Sequence, residues 1–143
     1  MRILGIDWGK KKIGLAIANI ISKNITVIGT FSNDSLIFDK IKEIILRYDI
    51  KKIVIGKPVF TKTYQEAPIF NEILNFSKKL FEFLKKNNIS IDIDYIEEEY
   101  TTFLANQLVN YINLKNKENN KSRLKSRIDG LSAFFILKSY LNV

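Results

Sequence analysis

The stretch RILGIDWGKKKIGLAIAN, residues 2–19, decides the fold. Residues 2–7 (RILGID) and 12–19 (KIGLAIAN) are apolar or alternating runs, and Trp8-Gly9-Lys10-Lys11 between them is turn-like, so the pair reads as a β-hairpin. Residues 25–31 (ITVIGTF) are rich in β-branched side chains and follow a short polar link, which predicts a third strand. Downstream the period changes. Ile37, Ile41, Ile44, Ile45 and Tyr48 recur at helical spacing behind the potential caps Asn33, Asp34 and Ser35, predicting a helix over about 35–48. Residues 52–56 (KIVIG) form a continuous apolar strand of the kind buried on both faces, with Pro58 expected to end it.

Ile69, Ile73, Leu74, Phe76, Leu80 and Leu84 then mark the inward face of a helix over about 66–87. Residues 90–97 alternate, with Ile91, Ile93 and Tyr95 on one face, and predict another strand. Thr101 or Thr102 caps a helix running to about 113, residues 115–127 (KNKENNKSRLKSR) read as a basic mobile loop, and a last helix runs from about Ile128 to Leu141. Phe70, Phe76, Phe81, Phe83, Phe134 and Phe135 read as core and helix-packing residues. The order βββαβαβαα predicts an α/β fold in which three antiparallel strands are extended by parallel strands through right-handed crossovers.

Composition narrows the chemistry. The 143 residues suit one domain, and 46% hydrophobic with 27% charged residues describes a folded chain. Cys and His are both absent, which removes disulfides, thiolate or imidazole metal sites and Ser-His-Asp triads. Hydrolytic chemistry would therefore rest on carboxylates, Lys, Tyr or a hard cation. Twenty-three basic against 15 acidic residues, a net +8, favour a polyanionic partner, nucleic acid before membrane. No apolar run approaches the ~18 residues of a membrane span and Asp7 interrupts the amino-terminal run, so a cytoplasmic protein without membrane association is expected.

Three acidic positions stand out. Asp7 ends the first strand beside Gly9, where a phosphate or cation can approach the backbone; it also suits a turn Asp bonded to its own backbone. Glu97, Glu98 and Glu99 end a strand just before a helix cap, and a local cation would relieve their mutual repulsion. Strand alternation sends Glu97 and Glu99 one way and Glu98 the other. Asp129 opens the last helix on a stripe with Ser132, Ala133, Ile136 and Tyr140. Two carboxylates leaving strand ends and one from a covering helix can converge on Mg²⁺, the setting for two-metal phosphodiester hydrolysis without histidine. The spacing of Gly9 and Gly14 mimics half of a phosphate loop, but Leu15 occupies the lysine position, and Ser122-x-x-Lys125 lies in the basic segment as a chance match.

The segments MRILGIDWGKKKIGLAIAN, IVIGKPV, EEEYTT and RIDGLSAFFILKSYLN, in that order and spanning nearly the whole chain, resemble the YqgF family, also called RuvX. These RNase H-like proteins are described as Holliday junction resolvases and as nucleases for the 5′ end of pre-16S ribosomal RNA. The resemblance implies one RNase H-like nuclease domain over residues 1–143, with a five-stranded mixed sheet flanked by helices. By motif it carries the catalytic, metal-ligating acids onto Asp7, Glu98 and Asp129. Glu99 stands where the family usually has Arg, Glu97 replaces Asp, Lys10 replaces Thr, and residues 60–65 (FTKTYQ) lack the usual glycines.

The implied activity is hydrolysis by a Mg²⁺- or Mn²⁺-dependent nuclease in 5′-end processing of pre-16S rRNA during ribosome biogenesis. Structured RNA is favoured over branched DNA as partner, with ribosomal precursor particles as its setting, and the chain is a monomer or homodimer. Lys10, Lys11 and Lys12 beside Asp7, with Lys121, Arg123, Lys125 and Arg127, are candidate phosphate contacts. Two alternatives stay open: a Holliday junction resolvase, which needs paired sites, and a non-catalytic RNA-binding assembly factor. An actin-like sugar kinase, suggested by GIDWG, would need a second lobe.

Overall fold

A computed structural model describes residues 1–59, 69–99 and 121–143, with side chains over 1–58, 69–97 and 130–143. The expected helix to about 113, residues 115–120 of the basic segment and the FTKTYQ loop lie outside the described residues.

Five strands, β1 (Arg2–Trp8), β2 (Lys12–Asn19), β3 (Ile25–Ser32), β4 (Ile50–Val59) and β5 (Asp92–Glu99), form one mixed sheet of order β3-β2-β1-β4-β5. β1–β2 and β2–β3 pair antiparallel, and β1–β4 and β4–β5 pair parallel, as expected from the change of period after residue 31. Helices α1 (Ile37–Tyr48) and α2 (Phe70–Lys86) share one face of the sheet, and α3 (Lys121–Leu141) covers the other.

The alternation within β1 and β2 explains these unequal faces. Leu4, Ile6, Ile13, Leu15 and Ile17 join Ile53, Ile55 and the apolar stripes of α1 and α2 in the larger core. The opposite row holds small residues: Ile3, Ala16, Ala18 and Val54 pack against Ala133, Ile136 and Leu137 of α3. Small side chains let the helix sit close to the sheet. A Cβ on Gly5 would lie 2.6 Å from Leu137 Cγ, and one on Gly130 would lie 2.6 Å from Val27 Cγ1. In β3 a register shift opposite Leu15/Ala16 accompanies Gly29 at φ +140°, a conformation that favours glycine.

Several boundaries differ from the sequence reading for identifiable reasons. Residues 121–127 are helical rather than loop: Lys, Arg, Ser and Leu carry little apolar period but form helix readily, and the buried segment beyond Gly130 anchors them. Pro58 does not end β4, which continues to Val59; the β1–β4 pairing ends at Ile6–Ile55, so the missing N–H of Pro58 costs no bond on that side. None of Asn33, Asp34 and Ser35 caps α1. Leu36 holds that position without a side-chain bond, while Asp34 Oδ1 accepts from the Leu36 N–H one turn earlier. Phe70 and Phe76 are buried as expected, but Phe81 is 44% exposed because it lies off the inward stripe of α2. Strand β5 runs on to include Glu98 and Glu99.

Candidate active site

The parallel strands β1, β4 and β5 all end at one edge of the sheet, the edge where α/β sheets place ligands. Asp7, half-buried, is the next-to-last residue of the central strand and belongs to the row of Ile3 and Gly5, beneath α3. Its lateral partner on β2 is Gly14, and on the β4 side Gly56 follows Ile55, the partner of Ile6. Neither flanking glycine puts a side chain beside this carboxylate. The turn beyond it is held tightly: a Cβ on Gly9 would stand 2.6 Å from the Lys12 carbonyl oxygen, Asn33 Nδ2 donates to the Gly9 carbonyl (2.8 Å), and the Asn33 N–H donates to Lys11 (2.9 Å).

Glu98 pairs with Pro58 and lies two positions beyond Ile96, which packs against the α3-side core. The two-residue strand period places position 98 in the same row of the sheet as Asp94 and Ile96. Its column is two strands from that of Asp7, about 10 Å at the usual spacing. Asp129 lies in α3 immediately before Gly130, whose contacts are Val27 and Gly29 of β3. Val27, the nearer of the two, pairs with Ala16 and Ala16 with Gly5, so Gly130 sits over β3 two residue levels below Asp7. Positions 7 and 98 thus lie at the same end of the sheet, on β1 and β5, while position 129 lies beside the residue that packs over β3, the opposite edge strand. The side chains of Glu98 and Asp129 lie outside those described, and among the described side chains no cluster of three or more acidic residues forms.

Cations border the same edge. Lys10, Lys11 and Lys12 are exposed at the β1–β2 turn, and Lys10 Nζ lies 3.8 Å from Glu72 Oε1. With both partners largely exposed, that pair leaves Lys10 available to a polyanion. Lys121, Arg123, Lys125 and Arg127 occupy the first two turns of α3, on the helix that carries Asp129. Their side chains are not among those described.

Lys57 was not singled out in the sequence although it stands in IVIGKPV. It lies two residues before the end of β4, between the two acid-bearing strands, paired with Glu97, and its Nζ lies 4.9 Å from the Phe70 ring centroid. Its position two residues after the buried run of β4 is the signal that would have marked it. A second cluster, at the opposite end of the sheet, joins residues 88 positions apart. Lys52 Nζ donates to Asp94 Oδ2 (3.0 Å) and Tyr140 Oη (3.1 Å), and Tyr140 Oη donates to the same carboxylate oxygen (2.9 Å). The bonds from Lys52 and Tyr140 hold the Asp94 carboxyl below its ordinary range, and those to Tyr140 and Asp94 raise Lys52. This cluster ties the end of α3 to β4 and β5 and takes no part in the candidate site.

A mixed sheet with an acid at the end of its central strand, two helices on one face and a third closing the other, is the RNase H-like arrangement found in resolvases. The crystal structure of the fowlpox virus Holliday junction resolvase shares it, with a TM-score of 0.53 and 19% identity over 99% of each chain. The chain belongs to the RuvX family, described as "Holliday junction resolvase", whose model matches residues 1–143. Curated relatives carry the name "Putative pre-16S rRNA nuclease". One from Sulfurihydrogenibium sp. is 38% identical over 99% of this chain and 90% of its own length, and one from Malacoplasma penetrans is 35% identical over 98% and 93%.

Proposed function

We propose that this chain is a single-domain, metal-dependent nuclease that hydrolyses phosphodiester bonds in the 5′-end processing of pre-16S rRNA. The observation that carries the reading is Asp7 at the carboxyl end of the central strand, with Gly14 and Gly56 on the neighbouring strands and position 98 at the same end of the sheet. Family membership over the whole chain and the names of its relatives support the reaction and the substrate.

Asp7, Glu98 and Asp129 would hold the metal. An all-carboxylate donor set in a chain without His or Cys suits a hard cation, Mg²⁺ or Mn²⁺. Such a cation, when bound, supplies an activated water and stabilisation of the leaving oxygen. The protein's own part is positional. Gly14 and Gly56 put no side chain beside Asp7, and the pinned turn at Gly9 presents Lys10, Lys11 and Lys12 to phosphates on either side. Lys57 adds positive charge between β1 and β5.

The test is to incubate the purified chain with precursor 16S rRNA and with a four-way DNA junction, with and without Mg²⁺, and to map the ends. Metal-dependent cuts confined to the 5′ side of the precursor are expected. Paired symmetric cuts in the junction by a dimer would replace this reading with the resolvase activity after which the family is described. Binding of the precursor without cleavage in either metal would leave an assembly factor.

A further inference from the structure

Trp8 follows Asp7 in β1, so its side chain falls on the opposite face of the sheet at the same edge. There it lines a cavity of about 380 Å³ between the start of α1 and the first turns of α2, bounded also by Phe38, Phe76, Asn33, Asn75, Glu72 and Lys79. The aromatic wall is continuous: Trp8 and Phe76 have ring centroids 6.3 Å apart, and Phe38 and Phe76 5.4 Å. Trp8 Nε1 is buried without a hydrogen-bond partner, and a donor left in that state costs about 1–3 kcal/mol.

We propose that this cavity receives one unstacked nucleobase of the RNA strand whose backbone passes Asp7. The inference rests on the nuclease reading for its source of substrate. Three features choose a base over other occupants. Flat aromatic walls suit a π-face of any base. The volume is at the small end for ligand sites and suits a single planar group. The polar lining combines the amide of Asn75 with the carboxylates of Asp34 and Glu72. Those acids disfavour a phosphate inside the cavity but accept hydrogen bonds from the exocyclic amino groups of guanine, adenine or cytosine. Lys79, at the same cavity, and Lys10, paired with Glu72, can meet the phosphates outside. Asp7 and Trp8 are neighbours at the end of β1, so a strand that rounds this end of the sheet passes both. The device would present a flanking nucleotide out of its helix, and so give the enzyme a preference for unpaired RNA with an amino-bearing base there.

Trp8 is the single tryptophan of the chain, so its emission reports on the cavity directly. The intact protein is titrated with GMP, AMP, CMP and UMP and with ribose 5-phosphate, which has no base. A saturable change in Trp8 emission is expected with the amino-bearing nucleotides, about 3- to 10-fold weaker with UMP, as for one lost hydrogen bond, and absent with ribose 5-phosphate. Asn75→Ala and Glu72→Gln alter exposed side chains and should each weaken the response by a similar factor. No saturable change with any nucleotide, or an equal change with ribose 5-phosphate, overturns the proposal. Cleavage of precursor RNA alongside either result would leave the nuclease reading standing without the pocket. A nucleotide response in a protein that cuts no RNA would do the reverse.

Discussion

Replacing Gly5 by Ala adds one methyl at the place where α3 rests on β1. Its Cβ would stand 2.6 Å from Leu137 Cγ and 3.0 Å from both of its δ carbons. Leu137 is fully buried, and Cγ, close to the backbone, moves only if χ1 leaves its well or α3 lifts. Overpacking of this kind costs about 1–3 kcal/mol. Against it stands the gain of about 0.5–1 kcal/mol from removing a strand glycine, so the net loss should be about 1–2 kcal/mol. Leu137→Ala alone should cost about 2–5 kcal/mol by leaving a cavity. The two changes together should cost less than their sum by about 1–2 kcal/mol, because the new methyl enters the space the leucine vacates. Urea unfolding at fixed slope measures all four corners of that cycle. Because α3 also carries Asp129, Gly5→Ala should lower nuclease turnover more than its stability loss explains, and the double variant should recover part of it. Additive effects, or a Gly5→Ala protein as stable and active as the parent, would refute the claim that this contact sets the height of the helix over the site.

Asp7→Asn should abolish Mg²⁺-dependent cleavage, by at least about 100-fold, while the unfolding midpoint stays close to the parent's; unchanged turnover would remove Asp7 from the chemistry. Neutralising Lys121, Arg123, Lys125 and Arg127 together should weaken RNA binding and flatten the slope of log affinity against log salt by about 0.7 for each true phosphate contact, with an unchanged slope placing the binding face elsewhere. The Asp94 carboxyl is held low in the folded state, so it adds stability at neutral pH that disappears as the pH falls through its folded value; the stability gap between parent and Asp94→Asn should narrow below about pH 4 and stay level above it. Lys52, held high, adds stability that persists through neutral pH and is lost only above the ordinary lysine range, so Lys52→Met should differ from the parent least in strong alkali.

Strand identity was legible because the hairpin of β1 and β2 alternates large against small: Ile13, Leu15 and Ile17 on one face, Gly14, Ala16 and Ala18 on the other. The same alternation announced how closely α3 packs, although only the structure names Leu137 as the side chain over Gly5. The start of α3 was not legible, since its first turns are basic and helix formation there depends on the anchored segment beyond Gly130. Nor was the cluster of Lys52, Asp94 and Tyr140, assembled across 88 positions with no local pattern. Asp7 could be marked from its strand end and glycine turn. Grouping it with the Glu97–Glu99 run and Asp129 followed from two strand ends and a covering helix, but choosing Glu98 within the run needed the family resemblance. The Trp8 cavity escaped notice for a related reason: β1, α1 and α2 each contribute to it, and Trp8 by itself reads as the first residue of the turn after β1.

The charge arrangement gives a physical reason for the cation that the proposed nuclease would need to act on RNA. A net charge of +8 draws a polyanion to the molecule. Yet the strand ends at the candidate site place Asp7 on β1 and position 98 on β5 in rows of the same face, with positions 97 and 99 in rows of the other. A phosphodiester arriving there meets like charge at close range, whereas attraction from Lys10, Lys11, Lys12 and Lys57 acts around it. Long-range attraction with short-range repulsion gives binding without productive approach. A divalent cation held by the carboxylates reverses the short-range sign and leaves the long-range field almost unchanged. On this account the metal should alter cleavage far more than affinity: chelation should abolish cutting while RNA retention at low salt stays nearly constant, and a parallel loss of both would show that the acids do not face the bound strand.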